Sequence, residues 1–252
     1  MDFTGQGVLV TGGSRGIGRA IATCFAQHGA SVAVHCHSNR VAAEETRTLL
    51  EGSGHVVLEA DMADALAVGQ LVDDTVSAFG RIDVLVNNAG IYEEHRLAEM
   101  TYEQWQAAWQ RTLAVNLSGA ANASYCAARH MIRSGGGRII NVSSRGAFRG
   151  EPDYPAYGAS KAGLNSLGQS LALALAPHNI YVMTVAPGFV ETDMTASLLG
   201  GEAGQSIREQ SPLGRAGSPA EVAYVVAFLA SAGAEYSTGS IIDVNGASYL
   251  RS

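Results

Sequence analysis

The sequence predicts an α/β fold, a single domain built on a doubly wound parallel sheet of about seven strands with helices on both faces. Three observations carry this. Short runs rich in β-branched residues alternate with longer helical windows along nearly the whole chain. The runs are apolar at consecutive positions, as strands covered on both faces are. A glycine-rich turn, TGGSRGIG at 11–18, sits between the first run and the first helical window.

In order, 7–11 (GVLVT), 31–36 (SVAVHC), 55–60 (HVVLEA) and 82–87 (IDVLVN) read as strands, followed by 138–143 (RIINVS), 180–186 (IYVMTVA) and 240–244 (SIIDV). Helical windows fall between them at about 16–28, 40–52, 64–79, 101–133, 156–176 and 218–231. RSGGGR at 133–138 is a helix-to-strand turn, too short to divide domains. The stretch from Pro187 to Gly217 is long, rich in Gly, Ser and Thr, and only briefly helical. It reads as a lid over about 188–217 within one domain covering 1–252.

Composition narrows the partners. The 252 residues are 47% hydrophobic and 15% charged, enough for a substantial core, and the formal charge of −7 disfavours nucleic acid or an anionic membrane. The apolar stretch LGQSLALALA is short of the roughly 20 residues that a membrane span needs. Cys24, Cys36 and Cys126 are odd in number and widely spaced, which suits free thiols in a reducing compartment. With a strand beginning within ten residues of Met1, no signal peptide is expected and the protein reads as cytoplasmic.

Gly12, Gly16 and Gly18 lie where, in a Rossmann-type sheet, a pyrophosphate rests on a helix N-terminus. GGSRG at 12–16 also fits a nucleophile elbow with Ser14, but that elbow belongs on a strand deep within its sheet, not on the first. Gly18 is followed by Arg19 and Ala20, so no phosphate-binding P-loop is spelled. The window that would carry a ribose-binding acid, HCHSNR at 35–40, has none. It offers His37, Ser38 and Arg40, with Arg15 on the glycine loop itself, and so favours the extra phosphate of NADP(H). His35 and His37 share a strand face, yet two imidazoles alone fall short of a metal site, and none is expected.

Lys161 is the only lysine among 16 basic side chains, and it stands four residues past Tyr157 in YGASK. On a helix the two share a face. A free phenol titrates near pH ~10, and a neighbouring ammonium is expected to lower that value and suit the phenol to proton transfer. Tyr154 has Gly158 at the equivalent spacing and lacks such a partner. RIINVSS delivers Ser143 and Ser144 to the sheet edge, where a hydroxyl can donate to a substrate carbonyl. Asn116 sits inside a helical window, where a buried amide could hold a water.

Together these residues resemble the short-chain dehydrogenase/reductase family over essentially the whole chain. TGGSRGIG resembles its cofactor loop (Gly12, Ser14, Arg15, Gly16, Ile17, Gly18), and NNAG at 87–90 its sheet-stabilising turn (Asn88, Ala89, Gly90). Asp61 and Met62 match positions beside the adenine. APGFVETDM at 186–194 is similar to the segment that closes over the nicotinamide, with Pro187, Gly188, Val190 and Thr192. The family's spacing of thirteen from serine to tyrosine selects Ser144. The resemblance implies a catalytic set of Asn116, Ser144, Tyr157 and Lys161. It also implies hydride transfer between NADP(H) and a small carbonyl substrate, with Tyr157 as acid/base.

TGGSRGIGRAIA, APGFVETDM and DVNGASYL are most similar to the 3-oxoacyl-carrier-protein reductases. That subgroup's basic carrier-docking positions read GGG (135–137) and PHN (177–179) here, so a generic ketone or 3-oxoacyl thioester reductase is the expectation. An NAD-dependent alcohol dehydrogenase and a redox sensor without turnover are the alternatives. The nearly all-round apolar helix 164–176 implies assembly, as a homotetramer in this family. Glu93, Glu94, His95, Arg145, Arg149, Glu151 and Asp153 are expected around the pocket mouth.

Overall fold

A computed structural model describes residues 1–251. The strands are β1 (Gly7–Val10), β2 (Ser31–Cys36), β3 (Val56–Glu59), β4 (Val84–Asn87), β5 (Gly137–Val142), β6 (Ile180–Pro187) and β7 (Ile241–Val244). They form one seven-stranded sheet in the order β3-β2-β1-β4-β5-β6-β7, parallel throughout. Neighbouring β1 and β4 run to opposite sides of the strand order, which opens a crevice at their carboxyl ends.

The consecutive apolar residues of each strand divide between two cores. Val8, Val10, Val84, Val86, Ile140 and Val142 face one layer, built from α1 (Gly16–Gln27), α2 (Arg40–Leu49) and α9 (Pro219–Ala230). Leu9, Leu85, Ile139 and Val182 face the other, built from α3 (Ala65–Phe79), α5 (Ala120–Ser134) and α6 (Pro155–Leu175). Alternation on a pleated strand explains why these runs read as unbroken: both faces are dry. Phe25 and Ile21 of α1 are fully buried, and each such side chain contributes about 2 kcal/mol.

Local chemistry sets the helix ends. The Asp64 carboxylate caps α3 by accepting from Leu66 and Ala67 N–H, and Gly80 ends it at φ 74°. Thr101 and Gln104 form a capping box for α4 (Tyr102–Leu113), and Ser218 and Glu221 form one for α9. The window 101–133 is not one regular helix: a π-helical turn, Ala114–Gly119, separates α4 from α5. A Cβ on Gly119 would lie 2.4 Å from the Met62 carbonyl oxygen, so this turn runs hard against the loop after β3.

Between β6 and α9 the chain makes the excursion 188–217, with α7 (Ala196–Leu199) and α8 (Gly201–Glu209). Its two ends meet at a neck where Val190 bridges Gly217, Glu191 N–H donates to Gly217 O at 2.9 Å, and Gly217 N–H donates to Phe189 O at 2.9 Å.

Candidate active site

The crevice at the β1/β4 switch point has a volume of about 650 Å³. One end is backbone. Gly12 turns at φ 64° between β1 and α1, and a Cβ on Gly18 would meet Gly12 O at 2.1 Å. No side chain caps α1, so its first N–H groups face the crevice as anion donors. Thr11 ties this loop to the turn after β4: its hydroxyl donates to Val86 O and accepts from Asn88 and Ala89 N–H. Asn88 Nδ2 donates to Thr11 O at 2.9 Å and Gly12 O at 3.1 Å.

Ser14, Arg15, Ile17, His37, Ser38, Asp61, Met62, Ala89 and Gly90 line this half with the loop glycines. Arg15 is exposed at its rim. Arg40 stands outside the lining, its guanidinium 3.3 Å from Glu44 one turn along α2, and Asn39 takes its place at the wall. His35 is structural: Gly12 N–H donates to its Nδ1 at 2.9 Å, and its Nε2 donates to Ala60 O at 3.0 Å. Both nitrogens are thereby committed in one neutral tautomer, and burial holds the imidazole below its usual titration range. The residues fit a dinucleotide: a glycine cradle without room for side chains, uncapped donors, and a guanidinium where an acid would repel a further phosphate.

At the other end Ser143, Ser144, Tyr157 and Lys161 converge, with Pro187, Gly188, Val190 and Thr192 across from them. Ser143 is turned away, donating to Lys161 O at 3.2 Å. Ser144 Oγ accepts from Gly146 N–H at 3.0 Å, which leaves its own proton to turn to the Tyr157 phenol or to a ligand. Lys161 is 4% exposed and donates to Val142 O at 2.8 Å; its Nζ stands 5.7 Å from the Tyr157 ring centre. A Cβ on Gly16 would lie 3.2 Å from Thr192 Cγ2, so the 188–217 excursion rests against the glycine loop.

Two expectations about this end need correction. Burial pushes the Tyr157 phenol up to about 12, and only the Ser144 hydroxyl opposes it; the ammonium does not lower it here. Burial also draws Lys161 down to about 8, so desolvation dominates both groups. Asn116, fully buried in the π turn, has both amide hydrogens committed to protein partners. Its Oδ1 accepts from Ile91 N–H at 2.8 Å, and its Nδ2 donates to Ile91 O at 3.0 Å and Ser160 Oγ at 3.2 Å.

The mouth also differs in part. Glu93 lines it, paired with Arg111, but His95 is 1% exposed. His95 staples the loop to α6, accepting from Ala156 N–H on Nε2 at 3.0 Å and donating from Nδ1 to Glu93 O at 2.8 Å. Glu94 and Asp153 pair with Arg96. The sequence reading missed Arg111, Val115 and Ile91 in the wall, and missed Tyr92, whose ring stands edge-on to Tyr157 at 4.7 Å and stacks on Tyr154 at 3.8 Å. An aromatic directly after NNAGI was the only local signal for it.

A family model described as enoyl-(acyl carrier protein) reductase matches residues 12–247. The chain is 41% identical over 98% of its length to the 3-oxoacyl-[acyl-carrier-protein] reductase FabG of Aquifex aeolicus, 98% of which is covered. Among solved structures it is similar to a dehydrogenase/reductase from Sinorhizobium meliloti, with a TM-score of 0.90 and 35% identity over 99% of this chain and 97% of that one. It is also similar to a Burkholderia cenocepacia short-chain dehydrogenase solved in complex with NADP, with a TM-score of 0.88 and 35% identity over 98% and 99% of the two chains. A parallel sheet in this order, a glycine cradle at its switch point and relatives matched end to end lead to one conclusion: the chain is an oxidoreductase that belongs to the short-chain dehydrogenase/reductase family.

Proposed function

We propose that this enzyme uses NADPH to reduce a ketone, either a 3-oxoacyl thioester or another small carbonyl, to a secondary alcohol, with Tyr157 as the proton donor. The observation that carries the reading is the convergence of the Ser144 hydroxyl, the Tyr157 phenol and the Lys161 ammonium on one end of the crevice, with the glycine loop at the other. The dinucleotide, when bound, supplies the hydride. The uncapped N-terminus of α1 holds its pyrophosphate, and Arg15, with His37 and Ser38 beside it, holds the further phosphate.

Ser144, free to donate, polarises the carbonyl oxygen. The phenol at about 12 is fully protonated at neutral pH, as a donor must be. Reduction turns that oxygen into an alkoxide that takes the phenolic proton, and Lys161 stands beside the phenol, its Nζ 5.7 Å from the ring centre. With its Nζ bound once to Val142 O, the ammonium keeps donors for a ribose and a water. Asn116 serves as scaffold, its amide fixing Ile91 and with it the turn carrying Gly90.

Residues 1–252 act as one domain, with the 188–217 excursion as its lid. Exposed Leu173 on α6 and Tyr125 on α5 suit a homotetramer, and the three free cysteines suit a reducing cytoplasm. The curated relative's carrier-bound substrate remains one candidate; the missing basic positions at 135–137 and 177–179 weigh toward a free carbonyl.

Loss of NADPH absorbance against a panel of ketones, diketones and 3-oxoacyl thioesters tests the activity. Tyr157→Phe is expected to lower kcat by about 10³ or more while calorimetric NADPH affinity stays within about twofold. Normal turnover in that variant removes Tyr157 from the role of donor.

A further inference from the structure

Arg145 follows Ser144 in the chain but faces away from the crevice, into a separate cavity of about 430 Å³ shared with Phe189, Ser211 and Ser248. It is 5% exposed. Burying a guanidinium costs several kcal/mol unless its donors are used, and here they are used to join distant segments. Arg145 Nη1 donates to Gln210 Oε1 at 3.0 Å and to Ser248 Oγ at 2.9 Å, and the guanidinium lies 4.9 Å over the Phe189 ring. Phe189 opens the 188–217 excursion and Gln210 stands just past α8, so one side chain grips the excursion at its start and beyond its second helix.

The neighbourhood closes a ring around that grip. Arg149 Nη1 donates to the same Gln210 Oε1 at 2.9 Å. Ser211 Oγ donates to Gly246 O at 2.6 Å, tying the end of the excursion to the carboxyl-terminal tail. Arg251 returns from the tail to stack over Phe148 at 4.4 Å. The single helical turn that carries Arg145, residues 145–147, also supplies the Gly146 N–H that orients Ser144 Oγ.

We propose that Arg145 is a positioning residue: it clasps the lid and the carboxyl-terminal tail to the turn that aims Ser144, so that lid closure and carbonyl polarisation are set together. This rests on the reductase reading only for its kinetic consequence; the clasp itself is a property of the cofactor-free protein. Displacing the guanidinium frees Ser248, leaves Gln210 to Arg149 alone and lets the turn relax, which moves the Ser144 hydroxyl away from the reacting oxygen.

The test is amide hydrogen exchange on the cofactor-free protein, read over 188–217 and 245–250, beside steady-state kinetics. Arg145→Met is expected to speed exchange in both segments about tenfold and to lower kcat about tenfold, with exchange in α1 and β1 unchanged. Arg145→Lys, which keeps a cation but loses the fork, recovers part of the protection. Adding Ser248→Ala to Arg145→Met produces no further increase, because both act on one contact. Unchanged exchange over 188–217 in Arg145→Met, or effects of the two substitutions that multiply, overturns the proposal. Should Arg145→Met fail to fold, Gln210→Ala and Ser248→Ala decide alone: about threefold faster exchange in each sustains the clasp, and none refutes it. If no carbonyl is turned over by the unaltered enzyme, the reductase reading falls while the exchange result still judges the clasp.

Discussion

The two halves of the crevice are made of different material. The dinucleotide half is mostly main chain: glycines at 12, 16 and 18, uncapped helix N–H groups, and backbone held in place by the side chains of Thr11 and Asn88. The substrate half is side chains drawn from separate segments: Ser144 after β5, Tyr157 and Lys161 on α6, and Val190 and Thr192 after β6, with Tyr92 after β4 edge-on to Tyr157. A surface formed by main chain needs residues without side chains at fixed local intervals, so it is written as a motif. One formed by side chains is written by tertiary juxtaposition and accepts other residues, which makes it the place where substrate preference is set. Substitutions in the first half are therefore expected to act on dinucleotide affinity, and those in the second on turnover.

Gly18→Val presses hardest on that division. Its Cβ would lie 2.1 Å from Gly12 O and 2.6 Å from Asn88 Nδ2, so backbone or turn must move. NADPH affinity is expected to fall by more than about 100-fold, which calorimetry reads, with circular dichroism reporting whether the sheet survives. Wild-type affinity in a folded Gly18→Val protein would break the comparison. Tyr92→Ala probes the opposite half. It removes a stack at 3.8 Å and an edge-on contact at 4.7 Å with Tyr157, each worth about 1 kcal/mol beyond burial. A fall of about tenfold in kcat with NADPH affinity within about twofold is expected.

The same contrast explains what the sequence made legible. The inner strands were readable because they are dry on both faces, the edge strands β3 and β7 by their β-branched runs although they are partly exposed, and the glycine loop by its spacing. The π turn was not: it packs Gly119 against the Met62 carbonyl, a contact between distant residues that no local pattern encodes. Tyr157 and Lys161 were placed together by their spacing, but the direction of the phenol's shift depends on burial, which spacing does not encode. His95 sits among acids in EEHR and reads as a rim residue, whereas a backbone N–H from α6 draws it inside. Arg40 stands outside the lining for a local reason: Glu44 lies four residues on along α2.

Lys161 sharpens the comparison through pH. Burial lowers its ammonium from 10.5 to about 8 in the folded chain. Below about 8 both states hold the proton and the fold bears the buried charge; between about 8 and 10.5 the unfolded chain binds more protons, so stability rises with pH. Tyr157, raised from 10.0 to about 12, adds stability that is full below 10.0 and lost as pH climbs through about 12, so it meets the Lys161 window only at its upper edge. Lys161→Met is therefore expected to be more stable than the unaltered protein at neutral pH, on the order of 2 kcal/mol, with the gap closing toward pH ~10. Urea denaturation across that range measures it, and a gap independent of pH would mean that the ammonium is not desolvated.

The smallest effects separate two arginines that look equivalent in sequence. Arg15 lines the dinucleotide half and is exposed at its rim, whereas the Arg40 guanidinium is held 3.3 Å from Glu44 outside the lining. A guanidinium placed on a phosphate forms charge-assisted bonds that a neutral side chain cannot replace, so Arg15→Ala should weaken NADPH about tenfold and leave NADH nearly unchanged. Arg40→Ala should alter NADPH affinity by less than about twofold, because an exposed helical ion pair is worth only a few tenths of a kcal/mol. Matched titrations of both variants with both dinucleotides distinguish the two. A loss in Arg40→Ala equal to that in Arg15→Ala would mean that Arg40 leaves Glu44 when the dinucleotide arrives. In that case the first half of the crevice, too, would owe part of its selectivity to a movable side chain.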